Sequence, residues 1–119
     1  MGGREIADLE AKLFDAEKKG CLAIMVGPRR RGEIDYELHH DGNARMKISL
    51  KAARLPEGTR TVTVFVNDNA VTDLEVKEGS GYLRLESARG DAIPEVHVED
   101  TASIRAGEKT VCEGSFHRD

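Results

Sequence analysis

From Gly20 onward the chain repeats one pattern. Short runs of alternating apolar and polar residues recur about every ten residues, and turn-forming residues fill the gaps between them. Alternation with a period of two marks a strand with one face buried. Glu33 to His39 puts Ile34, Tyr36 and Leu38 on one face, and Asp35, Glu37 and His39 on the other. Asp41-Gly42-Asn43 is a hairpin signal, and after it Ala44, Met46, Ile48 and Leu50 alternate with Arg45, Lys47, Ser49 and Lys51. These two strands are expected to pair, setting an acidic outer row beside a basic one. Each opposite-charge pair contributes roughly 0.2–1 kcal/mol to the register. Leu55-Pro56-Glu57-Gly58 turns the chain into Val62, Val64 and Val66, and Asn67-Asp68-Asn69 turns it again into Val71, Leu74 and Val76. Gly79-Ser80-Gly81 leads to Leu83 and Leu85, with Tyr82 and Arg84 facing the other way. A weaker stretch runs from Ile93-Pro94 through Val98. Ala102 to Ile104 follows, then Val111 to Phe116 after the Ala106-Gly107 turn.

Two segments depart from the alternation. In residues 4–19, Ile6, Leu9, Leu13 and Ala16 recur at spacings of three and four, which predicts a helix with one apolar stripe. Asp8 precedes Lys12, and Asp15 precedes Lys19, by one helical turn in the favourable orientation. Gly20 suits the C-terminal cap. Phe14 lies off the stripe. The second departure, Cys21 to Val26, is apolar on both faces and predicts a strand covered on both sides, the preceding helix being the natural cover. The expected fold is mainly β: an antiparallel sandwich or small barrel of about seven or eight strands with one N-terminal α-helix. Residues 1–19 form the helical appendage and residues 20–119 a single β-domain.

Composition narrows the function. The 119 residues carry 18 basic and 22 acidic side chains, and a net charge of -4 gives no basic footprint for nucleic acid. Aromatics are 4% and Trp is absent, so stacking on bases or sugars is poorly supplied. No run approaches the roughly 20 apolar residues of a membrane helix. The start, Met-Gly-Gly-Arg, lacks an apolar signal region, and Ile6 stands where a myristoylation signal has Ser or Thr. A cytoplasmic setting is expected, unless a signal peptide has been removed. That setting favours free thiols at Cys21 and Cys112, which a closed barrel could otherwise bring together.

Candidate chemistry is sparse. His39 and His40 point to opposite faces of a strand; His117 follows Cys112 by five and His97 is isolated, without the paired spacing of a zinc site. Arg29-Arg30-Arg31 reads as a solvated hairpin tip. Glu99-Asp100 with Asp91 or Glu95 lacks the spacing of a calcium loop. No nucleophile elbow, phosphate-binding loop or dinucleotide fingerprint occurs. No catalytic residue, metal ligand or cofactor is assigned.

Leu55-Pro56-x-Gly58, Val64-x-Val66-Asn67, Gly81-x-Leu83-x-Leu85, Ile93-Pro94 and Gly114-Ser115-Phe116 together resemble an uncharacterised bacterial all-β domain family. That resemblance spans roughly residues 32–117 and implies a compact antiparallel β-fold with no catalytic motif. This chain has Asp68 where the family has glycine after the asparagine. The expected function is non-enzymatic, in protein–protein interaction or homo-oligomeric assembly, with Ile6, Leu9, Leu13 and Phe14 of the helix as contacts. The alternative is a small-ligand-binding barrel or sandwich with Tyr36, Tyr82 and Arg84 as contacts.

Overall fold

The structure, a computed structural model, describes residues 5–16 and 29–119. The strand expected at residues 21–26, with Gly20 and Cys21, lies outside them. Among the described residues eight strands form: β1 (Glu5–Asp15), β2 (Arg30–His39), β3 (Ala44–Leu50), β4 (Thr61–Val66), β5 (Asn69–Glu75), β6 (Gly81–Glu86), β7 (Thr101–Ala106) and β8 (Lys109–Arg118). They make one sheet in the order β5-β4-β7-β8-β1-β2-β3-β6, with every ladder antiparallel. The edge strands β5 and β6 are joined by the tight turn Lys77 to Ser80 and touch beside it. A Cβ on Gly81 would lie 2.4 Å from the Glu75 carbonyl oxygen, so only glycine lets them approach. The sheet is therefore a nearly closed barrel.

The N-terminal helix is not formed. Residues 5–15 are a strand at the middle of the sheet, bonded to β8 on one side and β2 on the other. Leu9 and Leu13 are four apart, and that spacing shares a face in a helix and in a strand alike. Ala7 and Ala11 decide between the two, because Ala7-Leu9-Ala11-Leu13 alternates with Asp8-Glu10-Lys12. Leu9, Ala11 and Leu13 are buried at 4%, 0% and 0% exposure. Two flanking ladders satisfy the backbone of this segment, and tertiary context overrides its helix propensity.

The other alternations, Ile93 to Val98 apart, fold as expected. β2 pairs with β3 across Asp41-Gly42-Asn43, setting Asp35 opposite Lys47 and Glu37 opposite Arg45. Asn67 and Asp68 both take positive φ, at 50° and 64°, as a two-residue hairpin of the primed type requires. Asp68 thus does the work expected of a glycine there. Ile93 to Val98 is no strand. It is part of the segment that carries the chain from β6 to β7, and it drives Val96 into the core at 3% exposure. The interior is filled by Leu13, Ile34, Tyr36, Met46, Ile48, Leu50, Leu74, Ile104 and Phe116. Among the described residues no helix is long and apolar enough to cross a membrane.

Candidate functional site

Among the described residues the barrel wall is interrupted at the seam between β5 and β6. The two strands meet at the Lys77–Ser80 turn, but their far ends are not hydrogen-bonded to each other. Beside that opening β5 carries a bulge: Val64 pairs with Thr72 and Phe65 with Ala70, which leaves Val71 unpaired. A bulge at a barrel rim re-aims a side chain and also blunts an edge against strand addition. Here Val71 lines an open groove of about 430 Å³. Val66, Ala70 and Val71 line it from the β4–β5 hairpin, Ala92, Ile93 and Pro94 from the β6–β7 connection, and Asn67, Asn69 and Glu95 add polar groups.

Both walls are fixed before any ligand arrives. The buried Tyr36 hydroxyl is hydrogen-bonded to the backbone of Val96, and burial raises its pKa while that bond opposes the rise. Asp100 accepts from the His97 N–H at 2.8 Å. Its carboxyl is held below the ordinary range by the Asn67 side chain and the His97 backbone. Asn67 Oδ1 in turn accepts from the Thr101 N–H at 2.9 Å. At the start of the segment, Asp91 accepts from the Glu86 N–H at 2.8 Å. On the hairpin side the Arg105 guanidinium stacks 4.1 Å from the centre of the Phe65 ring and pairs with Asp68. The groove contains no histidine, cysteine or hydroxyl nucleophile, and its one carboxylate, Glu95, is mostly exposed beside His97.

The residues singled out from the sequence are not gathered. Leu9 and Leu13 point into the barrel and offer nothing to a partner, which removes the helix-mediated contact. Phe14 is on the outer surface at 37% exposure, and the Ile6 side chain lies outside the described ones. Tyr36 is a core residue at 1% exposure, whereas Tyr82 stands out at 58% on the opposite face of the wall. Arg84 is engaged with Glu86 at 3.2 Å, in a cluster where Arg45 and Arg89 also meet Glu86. Arg31 is not part of a solvated tip. It is buried, holding Asp15 at 2.9 Å and the Ala52 carbonyl at 2.7 Å. The seam itself was missed because a bulge leaves no mark in the alternation. The apolar pair Ile93-Pro94 was its one visible signal.

Cys112 is a free thiol at 0% exposure. Burial, reinforced by Asp15 and opposed by Arg31, pushes its pKa up to about 12. In a Cys21→Ser variant the native protein is expected not to react with a thiol reagent at mildly alkaline pH, and to react fully on unfolding. Rapid native labelling would contradict this placement of β8.

Comparison with known proteins adds no relative: no family model, no curated protein and no solved structure matches the chain.

Proposed function

We propose that this protein is a non-enzymatic barrel domain that binds another polypeptide, and that the seam groove anchors an apolar side chain of it. The observation that carries this reading is the bulge at Val71, which together with Ile93 and Pro94 lines an open groove. A groove open along one side covers too little of a free small molecule, whereas an anchoring side chain brings its own surrounding surface to exclude water. The chain itself presents suitable anchors. Phe14, Tyr82 and Val98 are the large apolar side chains exposed among the described residues. A second copy is therefore the partner to test.

Light scattering across a concentration series is expected to show reversible self-association that Val71→Glu abolishes without changing the circular dichroism spectrum. A monomer at every concentration, or association indifferent to Val71→Glu, would count against the reading. The volume of about 430 Å³ falls within the range of small-molecule sites and supports the second reading, a small-ligand binder. A saturable thermal shift with a small molecule, lost in the same variant, would favour it instead.

A further inference from the structure

The strands β5 and β6 form a hairpin whose ladder stops early. At its turn the Lys77 N–H donates to the Ser80 carbonyl at 2.9 Å, and the Ser80 N–H to the Lys77 carbonyl at 3.0 Å. Among the described residues no further pair follows. Continued in that register, Glu75 falls opposite Tyr82, Asp73 opposite Arg84 and Val71 opposite Glu86. Alternate residues of an antiparallel strand turn their backbone groups to alternate sides. The Val76 N–H donates to the Arg60 carbonyl at 2.9 Å, so Leu74 and Thr72 also bond β4, while Glu75 and Asp73 face the seam. On β6 the Glu86 N–H and carbonyl both go to Asp91, not to β3. Glu86, Arg84 and Tyr82 therefore face the seam as well. The two free edges present matching donors and acceptors in register. Zipping would also set the Asp73 carboxylate across from the Arg84 guanidinium, a favourable cross-strand pair.

The chain itself occupies those positions. After β6 a 3₁₀ turn, Ser87–Arg89, ends at Gly90, whose φ of 93° reverses the chain and lays Asp91 along the β6 edge. The Asp91 carboxylate accepts from the Glu86 N–H at 2.8 Å, and the Asp91 N–H donates to the Glu86 carbonyl at 3.3 Å. Two residues back, the Arg89 guanidinium donates to the Arg84 carbonyl at 2.9 Å. Ion pairs to Glu86 at 3.3 Å and to Asp91 at 3.6 Å hold Arg89 there. Across the seam the Thr72 hydroxyl donates to the Asp73 carbonyl at 3.2 Å. Both carbonyls of the Asp73–Arg84 pair are thus already engaged.

We propose that residues 87–91 are a strap that holds the seam open, and that without it β5 and β6 zip through the Asp73–Arg84 pair. Zipping draws Val71 toward Glu86 and narrows the groove between the β4–β5 hairpin and Ile93-Pro94. The strap then controls access to the groove, a role that rests on the binding reading proposed above. A partner seated in the groove favours the strapped arrangement, because only that arrangement offers the groove at full width.

Amide hydrogen exchange of the full chain, followed residue by residue by nuclear magnetic resonance, is the test. In the unaltered protein the Asp73 and Arg84 amides are expected to exchange freely and the Glu86 amide slowly. In the double variant Arg89→Ala, Asp91→Ala the Asp73 and Arg84 amides are expected to slow by about tenfold, the factor one net hydrogen bond supports. A new Hα–Hα contact between Leu74 and Leu83 accompanies the slowing. Arg89→Lys with Asp91→Asn keeps a donor and an acceptor and is expected to leave both amides fast. The direction is diagnostic, because a merely destabilised protein exchanges faster. Protection of both amides in the unaltered protein, or no slowing in the double variant, overturns the proposal. If that variant fails to fold, Arg89→Ala alone, which removes a side chain 58% exposed, decides by the same readout. Light scattering on the zipped variant addresses the groove separately. Weakened self-association supports control by the strap, and unchanged association counts against the groove reading while exchange still decides the strap.

Discussion

Replacing Gly114 by alanine is expected to destabilise the protein by roughly 2–3 kcal/mol, read as a lower midpoint in urea with little change in slope. Gly114 lies in β8 where β1 crosses closest, and a Cβ there would sit 2.0 Å from the Lys12 carbonyl oxygen and 3.0 Å from its carbon. Lys12 is held by its ladder to β2 and Gly114 by its ladder to β7, so neither strand yields cheaply. The sign is diagnostic. If residues 5–15 were a helix lying elsewhere, Gly114 would face no strand, and alanine in a β8 free of that neighbour would be neutral or stabilising by about 0.5–1 kcal/mol.

Ala11→Lys carries the second large effect. Ala11 is 0% exposed, facing the barrel interior between Ile34 of β2 and Phe116 of β8. An unpaired ammonium there is expected to cost roughly 3–5 kcal/mol or to prevent folding. On a helix whose stripe is Ile6, Leu9, Leu13 and Ala16, position 11 faces away from the stripe, and lysine would be harmless. Lys12→Ala serves as the control, since Lys12 is exposed and expected to stay within about 0.5 kcal/mol. Denaturant titration of the pair separates the two arrangements.

Much of the barrel was legible because alternation and turn chemistry agreed. Ile34-Tyr36-Leu38 and Met46-Ile48-Leu50 face inward as patterned, and the Asp41-Gly42-Asn43 turn fixes their register. The first strand was not legible from leucines alone. Leu9 and Leu13 satisfy both periods, and Asp8 with Lys12 looks like a helical ion pair although Lys12 lies opposite Glu33 in the β1–β2 ladder. The small residues Ala7 and Ala11 carried the deciding information but add little to an apolar stripe. On a helix Glu10 is one more solvated carboxylate, and only strand pairing sets it against Asp35 and beneath Asp119. The seam groove depends on a bulge and on a connection packed by Val96, both set by tertiary contacts that no local pattern encodes. Arg31 shows the same limit: a run of three arginines looks solvated until Asp15 and the Ala52 carbonyl are found beneath it.

The central claim is that residues 5–15 form a middle strand of the barrel, since the nearly closed wall depends on it. Nuclear Overhauser spectroscopy on the isotope-labelled full chain tests it most directly. Contacts from Ala11 to Ile34 and to Phe116 across the two ladders, with slow amide exchange along residues 8–14, are the predicted result. Sequential contacts between residues three apart within 5–15, with none to β2 or β8, would contradict it.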